Sequence, residues 1–204
     1  MKKFLLATSV LLTGAFAQPA WAEVEHYTFD NPHTQILFFV SHLGFSMSQG
    51  KFTDYQGGFT FDTTDPSKSS VEITIPTDSL QMDSEKWNEH LKSADFFDVE
   101  KYPDMTFKST EVKVTGDDTA DITGDLTLLG VTKPVTLHVK HNKSGKHPFG
   151  DKYVSGFSAT ATLKRSDFGM NYGLPMIGDD VNLMIGVEGI RDEPAAADAA
   201  GNNQ

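Results

Sequence analysis

Between Glu23 and Arg191 the dominant hydrophobic period is two. Phe59 and Phe61 alternate with Thr60 and Asp62, and Val71, Ile73 and Ile75 with Glu72 and Thr74. Ile122, Gly124, Leu126 and Leu128 repeat the pattern, followed by Val135, Leu137 and Val139. Phe157, Ala159, Ala161 and Leu163 form the next set, and Val181, Leu183, Ile185 and Val187 the last. Successive side chains of an extended chain point to opposite sides, so each set predicts a strand with one apolar and one polar face. Ile36–His42 and Met105–Val114 bring the count to about eight strands. Turn signals separate them: Thr63-Thr64-Asp65-Pro66-Ser67, Thr115-Gly116-Asp117-Asp118, Gly130-Val131-Thr132-Lys133-Pro134 and the loop from Asn142 to Asp151. One stretch departs from this period. Ser84 to Lys92 holds good helix formers, with Trp87 and Leu91 four apart and Asp83 or Ser84 as cap. A second turn is expected from Ser93, with Phe96 and Phe97 following.

Eight amphipathic antiparallel strands close most simply as a sandwich or as a barrel, and a barrel removes the edge strands. An eight-stranded barrel is just wide enough for its own side chains or one ligand. The inward face mixes large residues (Phe59, Phe61, Phe107) with small ones (Gly124, Ala159, Ala161). Small residues either leave room for a ligand or let their bulky neighbours fit. No repeat of fixed period and no heptad is present.

The ends read differently from the middle. Met1-Lys2-Lys3, an uncharged apolar run from Phe4 to Phe16, and Ala20-Trp21-Ala22 have the three parts of a secretory signal peptide. The competing reading is a membrane anchor, but the run is shorter than the ~20 residues a span needs. Cleavage after Ala22 leaves 182 residues from Glu23 and directs the chain to the periplasm. Residues 192–204 hold no large apolar side chain and are expected to be disordered, which confines the domain to 23–191. No second apolar run suits an integral membrane segment. The chain has no cysteine, so neither a disulfide framework nor a lipidated cysteine is available.

Without Lys2 and Lys3, 15 basic residues stand against 28 acidic ones, a net charge of −13. Such a chain is repelled by phosphate backbones, so no nucleic-acid partner is expected. Catalytic motifs are missing: there is no Gly-x-Ser-x-Gly elbow, no His-Glu-x-x-His and no phosphate loop. Asp95 and Asp98 read as capping or solvated carboxylates. His138, His141 and His147 bring imidazoles close in sequence, but His138 and His141 fall on opposite faces of a strand. No catalytic residue, metal site or cofactor is assigned.

Three stretches carry a family likeness. The first is His90-Leu91-Lys92-Ser93-Ala94-Asp95-Phe96-Phe97-Asp98-Val99-Glu100-Lys101-Tyr102-Pro103 with Met105-Thr106-Phe107. The second is Ile122-Thr123-Gly124-Asp125-Leu126-Thr127-Leu128-Leu129-Gly130-Val131-Thr132-Lys133-Pro134-Val135. The third is Lys164-Arg165-Ser166-Asp167-Phe168-Gly169. With His42-Leu43-Gly44-Phe45, they make the chain from Glu23 to about Ile190 resemble the YceI-like family of secreted polyisoprenoid-binding proteins. The resemblance implies an all-β fold, an eight-stranded antiparallel lipocalin-like β-barrel with a short helical insertion and an elongated apolar interior. It implies a binding protein for an isoprenoid or fatty-acid-like lipid, with no agreed reaction. A homodimer is compatible with it.

The inward set expected to line such an interior is Phe38, Val40, Phe59, Phe61, Ile73, Ile75, Phe107, Leu126, Leu128, Phe157, Leu183 and Ile185. Each reads equally well as ordinary core. Phe45, Phe52, Phe96, Phe97 and Phe168 lie in loop or helix contexts and either close a mouth or pack the helix onto the barrel. His42, Lys164, Arg165 and Asn171 are the polar candidates for a head group. A pyrophosphate favours Arg165, whose competing role is a salt bridge to Asp167 or another acid. The loop Gly169–Tyr172 is placed to act as a lid. An enzyme would need a titratable side chain deep inside the barrel, and a partner-binding protein would have a filled core.

Overall fold

The computed structural model describes residues 24–193. Eleven strands carry most of the chain: β1 Glu25–Phe29, β2 Gln35–His42, β3 Ser46–Phe52, β4 Gln56–Phe61, β5 Ser70–Pro76, β6 Leu80–Gln81, β7 Asp104–Val114, β8 Thr119–Leu128, β9 Val131–Lys146, β10 Tyr153–Lys164 and β11 Ile177–Arg191. Among the described residues one α-helix is found, α1 (Glu85–Lys92), between β6 and β7. All pairings are antiparallel, in the ring β1-β4-β5-β7-β8-β9-β10-β11, which closes through β11 onto β1. The remaining three strands extend this ring without adding to its count. β11 pairs its Gly189–Arg191 end with β1 and its Ile177–Gly186 stretch with β2. β1 and β2 are thus successive halves of one stave, as are β3 and β4, and β5 and β6. The barrel is closed and has eight staves, and the expected fold class holds.

The breaks have local causes. Asn31-Pro32-His33 forms a tight turn, because Pro32 has no N–H for a ladder and a fixed φ. Tyr55, in the break between β3 and β4, caps it: its hydroxyl donates to the carbonyls of Thr34 and Asn31, the latter at 2.9 Å. The Asn31 amide donates back to the Tyr55 carbonyl at 3.3 Å.

Two connections differ from the sequence expectation. β8 and β9 are joined by Leu129-Gly130 alone, both at positive φ (52° and 73°), the geometry of a two-residue hairpin. Strand β9 therefore starts at Val131 and takes in Pro134. It tolerates the proline because β9's pairing with β10 stops at His138, which leaves that edge free. At its other end β9 runs through Asn142 to Lys146, where a loop was expected.

β1 and β3 escaped the periodicity argument. β3 turns Ser48, Gly50 and Phe52 inward, so its inner face is scarcely apolar. Gly50 is there because the Phe38 ring lies over it and leaves no space for a Cβ. Gly124 does the same for Phe107, whose Cζ would sit 2.5 Å from an added Cβ. These small residues make room for rings, whereas Ala159 faces open space in the interior.

Candidate functional site: an apolar tunnel through the barrel

The interior holds a cavity of about 510 Å³ that runs from one end of the barrel to the other. On β8 its wall descends through Leu128, Leu126, Ile122 and Ala120. Eight steps at ~3.3 Å make roughly 26 Å along the strand, and about 20 Å along the axis at the usual barrel tilt. Helix α1 stands at one end. β6 and β7 do not pair in the sheet, and the chain between them runs through α1 and residues 93–103. Trp87, His90 and Leu91 of α1 reach the cavity together with Phe96 and Phe97. The Trp87 ring lies 5.9 Å from His42, and His90, Phe96 and Tyr172 form an edge-to-face trio with centroids 5.1–5.2 Å apart. At the opposite end the lining passes to Thr60, Phe61, Pro66, Ser70 and the β7–β8 turn at Gly116–Asp118.

Seventeen of the twenty-one candidate residues lie on this wall. They are Phe38, Val40, His42, Phe52, Phe59, Phe61, Ile73, Ile75, Phe96, Phe97, Phe107, Leu126, Leu128, Phe157, Arg165, Leu183 and Ile185. The other four are elsewhere. Phe45 tops the β2–β3 turn and is 90% exposed. Phe168 is turned into the core, 2% exposed, by a tight turn over Arg165–Phe168 that ends at Gly169 with φ of 85°. Asn171 is exposed and donates to the Gly169 carbonyl at 3.2 Å. Lys164 points outward to Asp180 at 2.9 Å.

Arg165 reaches the wall but is not free. Its guanidinium is 2% exposed and donates to three carbonyls, Gly178 at 2.8 Å, Met170 at 2.9 Å and Ile177 at 3.0 Å. Its anion-binding geometry is spent on fixing the 170–178 segment. Neither the expected Asp167 pair nor a head-group role matches these contacts. The nearby acid is Asp179, whose carboxylate accepts from the Ser166 backbone and hydroxyl at 3.0 and 2.9 Å. Those bonds hold its pKa below the ordinary carboxylate value.

One polar side chain in the tunnel was not foreseen. His141 continues the inward alternation of Val135, Leu137 and Val139, so one further step along β9 would have found it. Its ring stands 5.2 Å from Phe61 and 5.1 Å from Phe157. Its Nε2 is 2.8 Å from the Ser144 hydroxyl, which is 2.7 Å from that of Ser155, a fully buried residue. Burial pushes the His141 pKa below its ordinary value, against the opposing field of Asp118.

The three histidines considered for a metal do not converge. His138 points outward to Asp121 at 2.7 Å, His141 points inward, and the His147 Nδ1 accepts from the Phe149 backbone at 3.2 Å. Among the described residues, Asp30, His33 and Glu188 bring ligand atoms within 4.8 Å of one another, on the outside of the barrel. His33 and Asp30 are already paired there at 2.9 Å.

A closed antiparallel barrel with a through-running apolar cavity and one helix at its end is a specific combination. The sequence profile of the YceI-like domain matches residues 27–189. The chain belongs to the YceI-like family. A UPF0312 protein of Pseudomonas aeruginosa is 44% identical over 194 residues, covering 94% of this chain and 99% of its own. One from Pectobacterium atrosepticum is 42% identical over 193 residues, covering 95% and 100%. Among solved structures, the Campylobacter jejuni YCEI protein superposes with a TM-score of 0.69 at 28% identity, over 92% of this chain and all of its own. A polyisoprenoid binding domain from Saccharophagus degradans superposes with a TM-score of 0.62 at 14% identity, covering 81% and 98%, a likeness of fold. In this YceI-like barrel no helix among the described residues is long and apolar enough to cross a membrane. Residues 1–22 and 194–204, where the leader and most of the tail were expected, lie outside the described residues. Asp192, assigned to the tail by composition, is tied to β1: its backbone donates to the His26 carbonyl at 2.9 Å.

Proposed function

We propose that this YceI-like barrel binds and carries a long isoprenoid or similar amphiphile, with the chain in the tunnel. One observation carries the reading: a cavity of about 510 Å³, walled by aromatic and aliphatic side chains, runs the length of the barrel where a filled core would leave none. Apolar walls hold a hydrocarbon by desolvation, worth about 0.8 kcal/mol per buried CH₂. Summed over a long chain, that exceeds the non-covalent ceiling, so chain ordering and imperfect fit take back a large part. The Saccharophagus domain, named for polyisoprenoid binding, supports the ligand class. The leader-like first 22 residues support the periplasm as the place of action. A homodimer is compatible with such a carrier.

Native mass spectrometry of protein exported to a bacterial periplasm tests all three points. The expected result is a stoichiometric adduct that resolves to a prenyl or acyl chain, on a polypeptide that starts at Glu23, with the oligomeric state read from the same spectrum. Protein that emerges lipid-free, and that also refuses prenyl and fatty-acyl probes, would remove the carrier reading.

One observation favours a second reading. A histidine in the tunnel within 2.8 Å of a serine hydroxyl has the arrangement of a base and a nucleophile. Against it, the Ser144 hydroxyl is shared with Ser155, and no hydrogen bond from the His141 ring to a carboxylate is found among the described residues. Ester turnover by the wild type that disappears in Ser144→Ala would establish the enzyme.

A further inference from the structure

An apolar tunnel retains a chain but does not fix its register, because desolvation has no direction. Register has to come from a polar contact, and any polar group of the cargo drawn inside must find a partner or remain unsatisfied. The polar groups at the two ends are largely committed. Arg165 is bonded to three carbonyls, and His90 pairs with Asp95 at 3.0 Å. Thr60 and Ser70 share a hydroxyl bond at 2.8 Å, and Asp118 pairs with Lys140 at 3.4 Å. His141 differs in standing inside, between two phenylalanine rings.

Its hydrogen-bonded row is produced by a bulge. In a regular strand residues three apart face opposite sides, so His141 and Ser144 would not meet. In the β9–β10 ladder Phe157 pairs with His141 and Gly156 with Lys143, which leaves Asn142 as the extra residue. That insertion reverses the parity of β9 and puts Ser144 on the same inner face as His141. Ser144 then lies opposite Ser155, and the three side chains form a continuous hydrogen-bonded row. The row engages Nε2 and fixes the ring. The other ring nitrogen has no side-chain partner; the Lys143 carbonyl is the backbone acceptor that acts on the ring, and a polar group of the cargo would compete with it.

We propose that His141, held by Ser144 and Ser155, is the hydrogen-bonding station that fixes the cargo's polar group inside the tunnel, and that the cargo's head is uncharged, a hydroxyl or a carbonyl. The inference rests on the carrier reading. A neutral imidazole accepts from a hydroxyl or donates to a carbonyl, according to its tautomer. An anionic head is disfavoured at this end, because Asp117 and Asp118 stand at the lining beside it. The one buried guanidinium that suits a pyrophosphate already has each of its three nitrogens bonded to a carbonyl.

The test compares three ligands that share one chain: geranylgeraniol, geranylgeranyl pyrophosphate and the corresponding C20 hydrocarbon. Each competes with a fluorescent fatty-acyl probe on the mature chain. The wild type is expected to prefer the alcohol over both others by about tenfold, the scale of one buried hydrogen bond kept or lost. His141→Phe should abolish the preference over the hydrocarbon while still binding the hydrocarbon, which also reports that the barrel is folded. His141→Gln, which restores a hydrogen-bonding group, should recover it. Equal binding of alcohol and hydrocarbon by the wild type, tighter binding of the pyrophosphate, or a preference that survives in His141→Phe would each overturn the station. Failure of all three ligands and of the probe to bind would instead remove the carrier reading itself.

Discussion

At the scale of single residues, Arg165 shows how a residue type suggests one role and its surroundings impose another. The chain has two arginines, and one that follows an inward-facing strand looks like an anion site. Its three carbonyl partners belong to the 170–178 segment, which sits beside the tunnel. Arg165→Met should therefore leave three inward carbonyls short of donors and lower stability by about 3 kcal/mol or more in urea unfolding. Arg165→Lys should rescue little, since one ammonium cannot match the fork that serves three separate acceptors. A Lys variant as stable as wild type would show that charge alone matters here. The residues legible in the sequence were those whose own pattern carries their environment. Phe59, Phe61, Ile73 and Leu126 face the tunnel because period two persists through their strands. Arg165, Phe168 and Asn171 lie in turns, where no period tells inside from outside, and their placement depends on carbonyls and φ angles that the sequence does not display. His141 was within reach of the alternation. Its hydrogen-bonded row was not, because one unpaired residue in the ladder decides it.

At the scale of elements, strand existence was legible and strand continuity was not. Eight alternating stretches led to eight staves, but three staves are broken, and β3 keeps an inner face of Ser48, Gly50 and Phe52 that carries little apolar signal. The break between β1 and β2 is closed by a side chain from another stave: the Tyr55 hydroxyl serves both the Asn31 and the Thr34 carbonyl. Tyr55 is 3% exposed, so water does not readily replace that hydroxyl. Tyr55→Phe keeps the ring and its edge-on contact with Phe29 but removes both bonds. The expected cost is about 1–3 kcal/mol, and amide exchange should quicken locally at Thr34 and its neighbours. Unchanged exchange there, with stability lost elsewhere, would show that the two halves of the stave do not depend on this hydroxyl.

At the scale of the whole molecule, acid pits two histidines against each other. The His33 pKa is raised by its bond to Asp30 and by that carboxylate's charge, so His33 adds stability below its ordinary value of 6.5 and loses it as pH rises through the folded value. It is an exposed pair, and such pairs contribute little. His141 has the opposite sign. Burial lowers its pKa, with Asp118 and the Lys143 carbonyl opposing, while Phe61 and Phe157 offer no compensating charge. Above 6.5 the ring is neutral in folded and unfolded chains alike, and the shift contributes nothing. As pH falls below 6.5 the unfolded chain takes up a proton that the folded barrel resists, so stability declines until the folded pKa is passed and then levels off. Asp62 and Asp179 add a second, more acidic loss. Hydrogen bonds from Thr64 and from Ser166 respectively lower their pKa values, and that stability persists above the ordinary carboxylate value of 3.8 and vanishes below the folded one. Urea unfolding at pH 7.5 and 5.5 separates the histidine contributions from the carboxylate ones, because Asp62 and Asp179, held below 3.8, stay ionised throughout that window. The wild type should be less stable at pH 5.5, and His141→Phe should flatten or reverse the difference, leaving the small gain from His33. A wild type that grows more stable on acidification, with His141→Phe unchanged from it, would mean that the imidazole in the tunnel takes up its proton as freely as one in water.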